Sequence, residues 1–200
     1  YFHGSILCYI PDAESVKSLP IIHSDVLDLD HQSEGYGVFY SVNGFKSANN
    51  RTEDNLLCIN AFYVDIDWPK ERLGPPSPKA LAEFKRDALA TLSDLAMSGM
   101  IPTLITETKN GYHAIWSLEE PIIIDNLPDE KRIQLFKSYR ETLIAILERL
   151  QGDPRAKDLV RVLRLPNTYH LKDPAFPYLI KIAHMSGERY TFKQVRQFFC

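Results

Sequence analysis

Residues 62–68 read FYVDIDW, two aspartates one residue apart inside an otherwise apolar run. Alternation with a period of two is the pattern of a strand, and residues two apart share a face. Phe62, Val64 and Ile66 then face a core, and Asp65 and Asp67 sit side by side on the other face. Carboxylates that close repel, and each raises the pKa of the other unless a cation lies between them. Oxygen-only ligands on a rigid strand suit Mg²⁺ or Mn²⁺, with substrate phosphates completing the shell. Read alone, the doublet is equally a solvent-facing acidic pair on a half-exposed strand.

The flanking sequence indicates what such a strand belongs to. Residues 37–45 have strand composition, with the turn formers Asn43 and Gly44 near the end. Residues 51–60 fit a short helix, and 69–78, with four prolines and a glycine, a loop. Ser77 and Pro78 open a helix as N-cap and first helical residue, and Leu81, Phe84, Ala88, Leu92 and Leu95 form its apolar face. Residues 103–107 and 111–118 pattern as a hairpin. A second helix spans 129–150, with Ile133, Phe136, Leu143, Ile146 and Leu150 inward and Gly152 at its end. A strand at 178–184 and a helix at 191–199 follow. Together these elements predict an α+β fold with a mostly antiparallel sheet.

At 200 residues, 44% of them hydrophobic, the chain has enough apolar surface for one domain with a sizeable core. No run reaches the length of a membrane span, and no basic-then-apolar leader precedes it. The chain begins at Tyr1, which suggests one domain, residues 1–200, cut from a longer polypeptide. Cys8, Cys58 and Cys200 form no Cys-x-x-Cys pattern, so no zinc is expected and an intracellular setting is. A net charge of -3 excludes a uniformly basic coat but leaves a local cluster. Between 153 and 172, Arg155, Lys157, Arg161, Arg164 and Lys172 stand against Asp153 and Asp158. Arg155, Lys157 and Arg161 are the candidates for contact with nucleic acid.

Two further stretches carry chemistry. In ETKNGYHAIWSL (107–118), Gly111 permits close backbone approach, and His113 shares its strand face. Lys109 and Asn110 lie at the hairpin tip, so a Lys, a flexible turn and a His converge as a grip for polyphosphate. A lone His inside a sheet is more often a buried, satisfied side chain. In GDPRAKDLVRVLRLPNTYHLKDP (152–174), Arg161 and Arg164 flank Val162 and Leu163, and Pro166, Asn167 and Thr168 make a turn. If the following segment is extended, His170 and Lys172 share a face. Arg and Lys are natural phosphate partners, although a basic stretch without context is a solvated loop.

In their order and spacing, over roughly residues 35–199, these segments resemble the archaeo-eukaryotic primase superfamily. FYVDID matches its aspartate pair after hydrophobics, and KNGYH the Gly-x-His end of a Ser-Gly-rich turn. RLPNTYHLK matches its Pro-Gly-Ser/Thr-x-Asn/His-x-Lys turn, which follows an Asp and an Arg-rich stretch. Glu107 and Thr108 stand where Ser-Gly is common, and Asn167 replaces a Gly; Asn accommodates a left-handed backbone better than most residues.

The resemblance implies an RRM-like palm, its mostly antiparallel sheet packed on helices, with an additional N-terminal α/β unit. It implies template-directed nucleotidyl transfer, as DNA primase or DNA polymerase, with two Mg²⁺ or Mn²⁺ held by Asp65, Asp67 and a third carboxylate. The family's order favours Asp153 for that third place over Asp158, which stands three before Arg161 at a more variable position. His113, Arg164, His170 and Lys172 would hold the triphosphate, with Lys109 as helper. Implied partners are single-stranded or primed DNA, nucleoside triphosphates, and fused or associated replication, repair or defence domains; no membrane is expected. Three other readings compete. A metal-dependent nuclease or phosphoryl hydrolase needs the same acids but has little use for a triphosphate clamp. A non-catalytic RRM-like module reads bases with exposed strand aromatics, where this strand carries acids. A regulatory domain with a dead site requires a lost acid, and the pair is intact.

Overall fold

The computed structural model describes residues 3–13, 16 and 21–200. An N-terminal unit opens with β1 (Leu7–Pro11), β2 (Ile22–Ser24), the short α1 (Asp30–Ser33) and β3 (Tyr36–Ser41). The larger sheet begins with β4 (Gly44–Phe45) and the long β5 (Leu56–Asp67). After the short α2 (Lys70–Leu73) and α3 (Pro78–Met97) come β6 (Leu104–Glu107), β7 (Gly111–Ile123) and α4 (Asp129–Leu150). The chain ends with β8 (Val162–Arg164), β9 (Tyr169–His170), β10 (Tyr178–Leu179), β11 (Lys181–Met185), β12 (Arg189–Tyr190) and α5 (Phe192–Phe199). The larger sheet runs β11-β6-β7-β5-β4, antiparallel throughout, and β12 joins β7 in parallel. The smaller one runs β2-β1-β3-β8, so a strand from the basic stretch closes the N-terminal sheet. The α+β expectation, with an N-terminal α/β unit, holds.

The core sits between the larger sheet and the helices. α4 packs on β5 and α3 on β7. Phe62 stacks on Tyr139 with ring centroids 4.7 Å apart, and the Tyr139 hydroxyl donates to the Ala61 carbonyl at 2.8 Å. Ser77 caps α3 by accepting from the Ala80 amide at 3.1 Å, and a Thr191–Gln194 capping box starts α5. Asp129 and Glu130 in the first turn of α4 and Arg149 in its last complement the helix dipole.

Four local expectations need correction. Residues 51–60 are not a helix: a 3-10 turn at Glu53–Asn55 leads straight into β5. Leu56, Cys58 and Ile59 are all buried, and a strand covered on both faces accommodates such a run where a surface helix cannot. Ile133 is 66% exposed because it lies one turn before the buried stripe of α4 begins at Phe136. The strand expected at 178–184 is split at Ile180 into β10 and β11, which join different sheets. Gly152 does not cap α4; Gln151 takes the left-handed position at φ 53°.

Gly111 is fixed by sterics. It lies opposite Asp67 in the β5–β7 register, and a Cβ there would overlap the carbonyl oxygen of Ile66. Gly111→Ala is therefore expected to pry the two central strands apart beside Asp67 and cost about 2–4 kcal/mol of stability. A thermal melt checks this; a wild-type melting temperature would contradict it.

Candidate active site

The strand pairing builds the first wall of the site. Asp65 lies opposite His113, and the His113 Nε2 is 3.6 Å from Asp65 Oδ1. The acidic face of β5 is not solvent-facing: Tyr63 on it is fully buried, and its hydroxyl donates to the Asp158 carbonyl at 2.8 Å. The segment after α4 thus covers this face. It reaches β5 closely at Asp153, whose amide donates to the Asp65 carbonyl at 2.7 Å. Gly152 makes that approach possible, since a Cβ there would lie 2.6 Å from Val64 Cγ2 and 3.2 Å from the Asp65 oxygen.

The opposite wall comes from β8 and β9. Arg164 lies opposite Phe39 in the β3–β8 register, and its guanidinium sits 4.6 Å above that ring. Between the walls is a cleft of about 300 Å³ lined by Asp65, Asp67, Lys109, His113, Arg161, Arg164 and His170, with Phe39 at one side. Lys109 reaches it from the β6–β7 turn, where the Thr108 hydroxyl accepts from the Gly111 amide at 3.1 Å. That bond and the one from the Thr108 amide to the Gly111 carbonyl, at 2.9 Å, close the turn where Ser-Gly is absent. Asn167 does adopt the left-handed conformation, at φ 63°, in the turn that delivers His170.

Five residues singled out in the sequence do not line the cleft, Asp153 among them. β9 ends at His170 and the chain then turns, so the alternation that would place Lys172 beside it is absent; Lys172 is exposed and outside the cleft. Lys157 is exposed on a separate shallow groove at the end of α4. Arg155 is exposed and pairs with Glu71 at 2.8 Å and with Asp153 at 3.1 Å. Asp158 does not line the cleft; its carboxylate accepts from Arg161 at 2.7 Å. Two residues went unnoticed in the sequence, Phe39 and Asp12. The Asp12 carboxylate accepts from Arg164 at 3.0 and 3.1 Å and from the Leu171 amide at 2.6 Å. Its partners are about 150 positions away, and no local pattern marks it.

Burial and charge set the protonation states. Burial, and then the charge of Asp153, push the Asp65 carboxyl up to about 6. Burial, and then the charge of Asp65, raise Asp67 as well. Burial would raise Asp153, but the hydrogen bonds and charge of Arg155 outweigh it, and its carboxyl is held below the usual range. Burial, reinforced by Arg164, pushes His113 down to about 3 and His170 down to about 4, so both are neutral near pH 7. The His113 Nδ1 is buried and has no hydrogen-bond partner in the protein.

The raised Asp65 value has a sign that stability measurements can read. Its folded pKa of about 6 lies above the ordinary 3.8, so its stabilising contribution is full below 3.8 and is lost as pH rises through 6. In chelator-containing buffer, Asp65→Asn is expected to match wild type near pH 3.5 and exceed it at pH 7.5 by about 2–3 kcal/mol. His113 titrates in the opposite sense in both proteins, so the difference between them reports Asp65 together with the neighbouring Asp67, which the Asp65 charge raises. Denaturant melts at the two pH values check this; a constant difference would contradict it.

As a metal site the residues fit in part. Asp65 and Asp67 form a close, electrostatically strained all-oxygen donor pair of the kind a divalent cation relieves. Asp153 is adjacent, but its Oδ1 is committed to the Arg155 amide and side chain at 3.0 and 3.1 Å. Among the described residues no group of three His, Cys, Asp or Glu is arranged to hold a metal ion. None of the helices among them is long and apolar enough to cross a membrane.

Comparison with known proteins agrees with this architecture. The primase-polymerase AEP domain of cyanophage S-2L superposes on 98% of this chain and 89% of its own, with a TM-score of 0.67 at 14% identity. Primase RepB′ superposes on 97% of this chain and 56% of its own, with a TM-score of 0.57 at 15% identity. The catalytic domain of RepB′ in complex with initiator DNA gives 0.55 at 13% identity, over 97% of this chain and 85% of its own. The fold is therefore that of the archaeo-eukaryotic primase-polymerase domain, as the sequence resemblance implied. No family model matches the sequence. Protein RepS of Streptococcus pyogenes and protein RepR of Streptococcus agalactiae are each 25% identical over 161 residues, 80% of this chain and 29% of theirs. A replication initiation protein of Bacillus anthracis is 28% identical over 89 residues, 44% of this chain and 14% of its own. The chain thus spans less than a third of the length of these relatives.

Proposed function

We propose that this domain is a template-dependent nucleotidyltransferase, a DNA primase or DNA polymerase that joins nucleotides with the help of two Mg²⁺ or Mn²⁺. One observation carries the reading: the two carboxylates of β5 and the nitrogen-bearing side chains Lys109, His113, Arg161, Arg164 and His170 line a single cleft, with His113 beside Asp65 and Arg164 and His170 on the opposite wall. Acids and phosphate-binding groups together in one cleft are what a nucleoside triphosphate needs. The names of the relatives support a place in replication initiation, and the neighbour bound to initiator DNA supports a DNA substrate. The relatives' greater length supports further domains fused to or associated with this one, in an intracellular replication protein.

Asp65 and Asp67 would hold the ions, with Asp153 completing the set once its carboxylate leaves Arg155. The ions would supply charge neutralisation and a more acidic attacking 3′-hydroxyl. His113 is neutral and turns its Nε2 toward Asp65, so it would serve as a hydrogen-bonding group for a phosphate oxygen rather than as a charge. Lys109 and Arg161 supply positive charge to the triphosphate, and positioning plus charge neutralisation accounts for catalysis without a covalent nucleophile. Lys172, Lys157 and Arg155, exposed outside the cleft, would be the candidates for contact with the DNA backbone. A nuclease would leave the clamp idle. An RRM-type binding module would need exposed aromatics on β5, where Tyr63 is buried and acids take the neighbouring positions.

The test is a reaction on single-stranded DNA with all nucleotides and Mg²⁺ or Mn²⁺, run with and without a labelled primer. Extension or new synthesis supports the reading. Shortening of the primer indicates a nuclease, and binding without chemistry a recognition module.

A further inference from the structure

Asp12 stands just past the end of β1, in the N-terminal unit, yet it contacts one whole side of the cleft. Both of its oxygens accept from Arg164, one also accepts from the Leu171 amide, and the other lies 3.8 Å from His170 Nε2. The Asp12 side chain is only 9% exposed, and a carboxylate that buried persists only with such donors around it. The sheet order β1-β3-β8 means that Asp12 reaches Arg164 across β3. It does so over Gly37, where a Cβ would lie 2.9 Å from Arg164 Nη1 and 3.2 Å from Asp12 Oδ2. Phe39 covers one face of the same guanidinium. The fork with Asp12 takes two of the five N–H donors of Arg164, so donors remain for an anion in the cleft that Arg164 lines.

We infer that Asp12 is a positioning residue for the incoming nucleotide, holding Arg164, His170 and the Leu171 backbone as one preformed wall opposite Asp65 and Asp67. The inference rests on the nucleotidyltransferase reading of this cleft. Without Asp12, Arg164 and His170 lose their common anchor, and the nucleotide must order them when it binds. That cost falls on substrate binding rather than on the chemical step, so it is read as a change in KM. A purely structural staple between β1 and β8 would behave differently, lowering the folded fraction and leaving KM alone.

The experiment is steady-state incorporation on a primed template by wild type, Asp12→Asn, Asp12→Glu and Gly37→Ala, with thermal melts and DNA titrations alongside. Asp12→Asn is expected to raise the nucleotide KM about tenfold or more, with kcat within about twofold and DNA affinity unchanged. Asp12→Glu should recover part of the loss. Gly37→Ala crowds Arg164 while keeping Asp12, so it should give the same KM-weighted defect; it carries the test if Asp12→Asn does not fold. An unchanged or lower KM overturns the inference, as does a fall in kcat and melting temperature with KM preserved. Wild type with no incorporation sinks the nucleotidyltransferase reading itself, and the inference with it. An active wild type with normal KM in Asp12→Asn and Gly37→Ala sinks only the role of Asp12.

Discussion

Asp65→Ala and Asp67→Ala are each expected to abolish nucleotide incorporation, by about a thousandfold or more, in a protein that still folds. The two side chains occupy the same face of β5, where β7 pairs with them through His113 and Gly111, so neither has a neighbour able to replace it. Loss of activity alone would be ambiguous, because buried residues also support the fold. The electrostatics removes the ambiguity. Burial raises both carboxyls, the charge of Asp153 raises Asp65 further and that of Asp65 raises Asp67 further, so deleting either relieves strain in the metal-free protein instead of creating it. The expected signature is an inactive variant with a wild-type or higher melting temperature that has lost the shift Mn²⁺ gives the wild type. Wild-type extension rates in a variant free of contaminating polymerase would remove these residues from the chemistry.

The parts of this molecule legible in its sequence are those with local causes. The alternation at 61–67 marks a strand, the Ser77-Pro78 start and the 3–4 spacing after it mark α3, and the hairpin that carries His113 follows from its own turn. Even the substitution of Asn at 167 is readable, since one backbone conformation decides it. What escaped depends on pairing across the chain. Leu56–Asn60 is extended because β4 and β7 flank it, and nothing within 51–60 says so. Asp12 and Phe39 join the site only because β8 adds to the N-terminal sheet. The clamp role that the resemblance implies for Lys172 needs an extended run past His170, where β9 ends.

The same distinction bears on the third carboxylate, for which the family's order favours Asp153 over Asp158. Asp153 is tied to β5 through its backbone, its amide bonded to the Asp65 carbonyl at 2.7 Å, and its charge helps to raise Asp65. Its carboxylate is only 21% exposed and is held by Arg155, an exposed side chain that an incoming cation can displace. Asp158 is turned to other tasks, its carbonyl accepting from Tyr63 and its carboxylate from Arg161. That ion pair is partly exposed and three residues apart in sequence, a kind that contributes at most about 1 kcal/mol. Asp153→Ala is therefore expected to lower incorporation about a hundredfold or more, and Asp158→Ala by no more than about fivefold. Arg155→Ala separates the two roles further: freeing the Asp153 carboxylate should lower the Mn²⁺ concentration needed for half-maximal activity. An inactive Asp158→Ala beside an active Asp153→Ala would reverse the assignment, and an Arg155→Ala protein needing more Mn²⁺ would show that the Arg155–Asp153 pair supports the site instead of masking it.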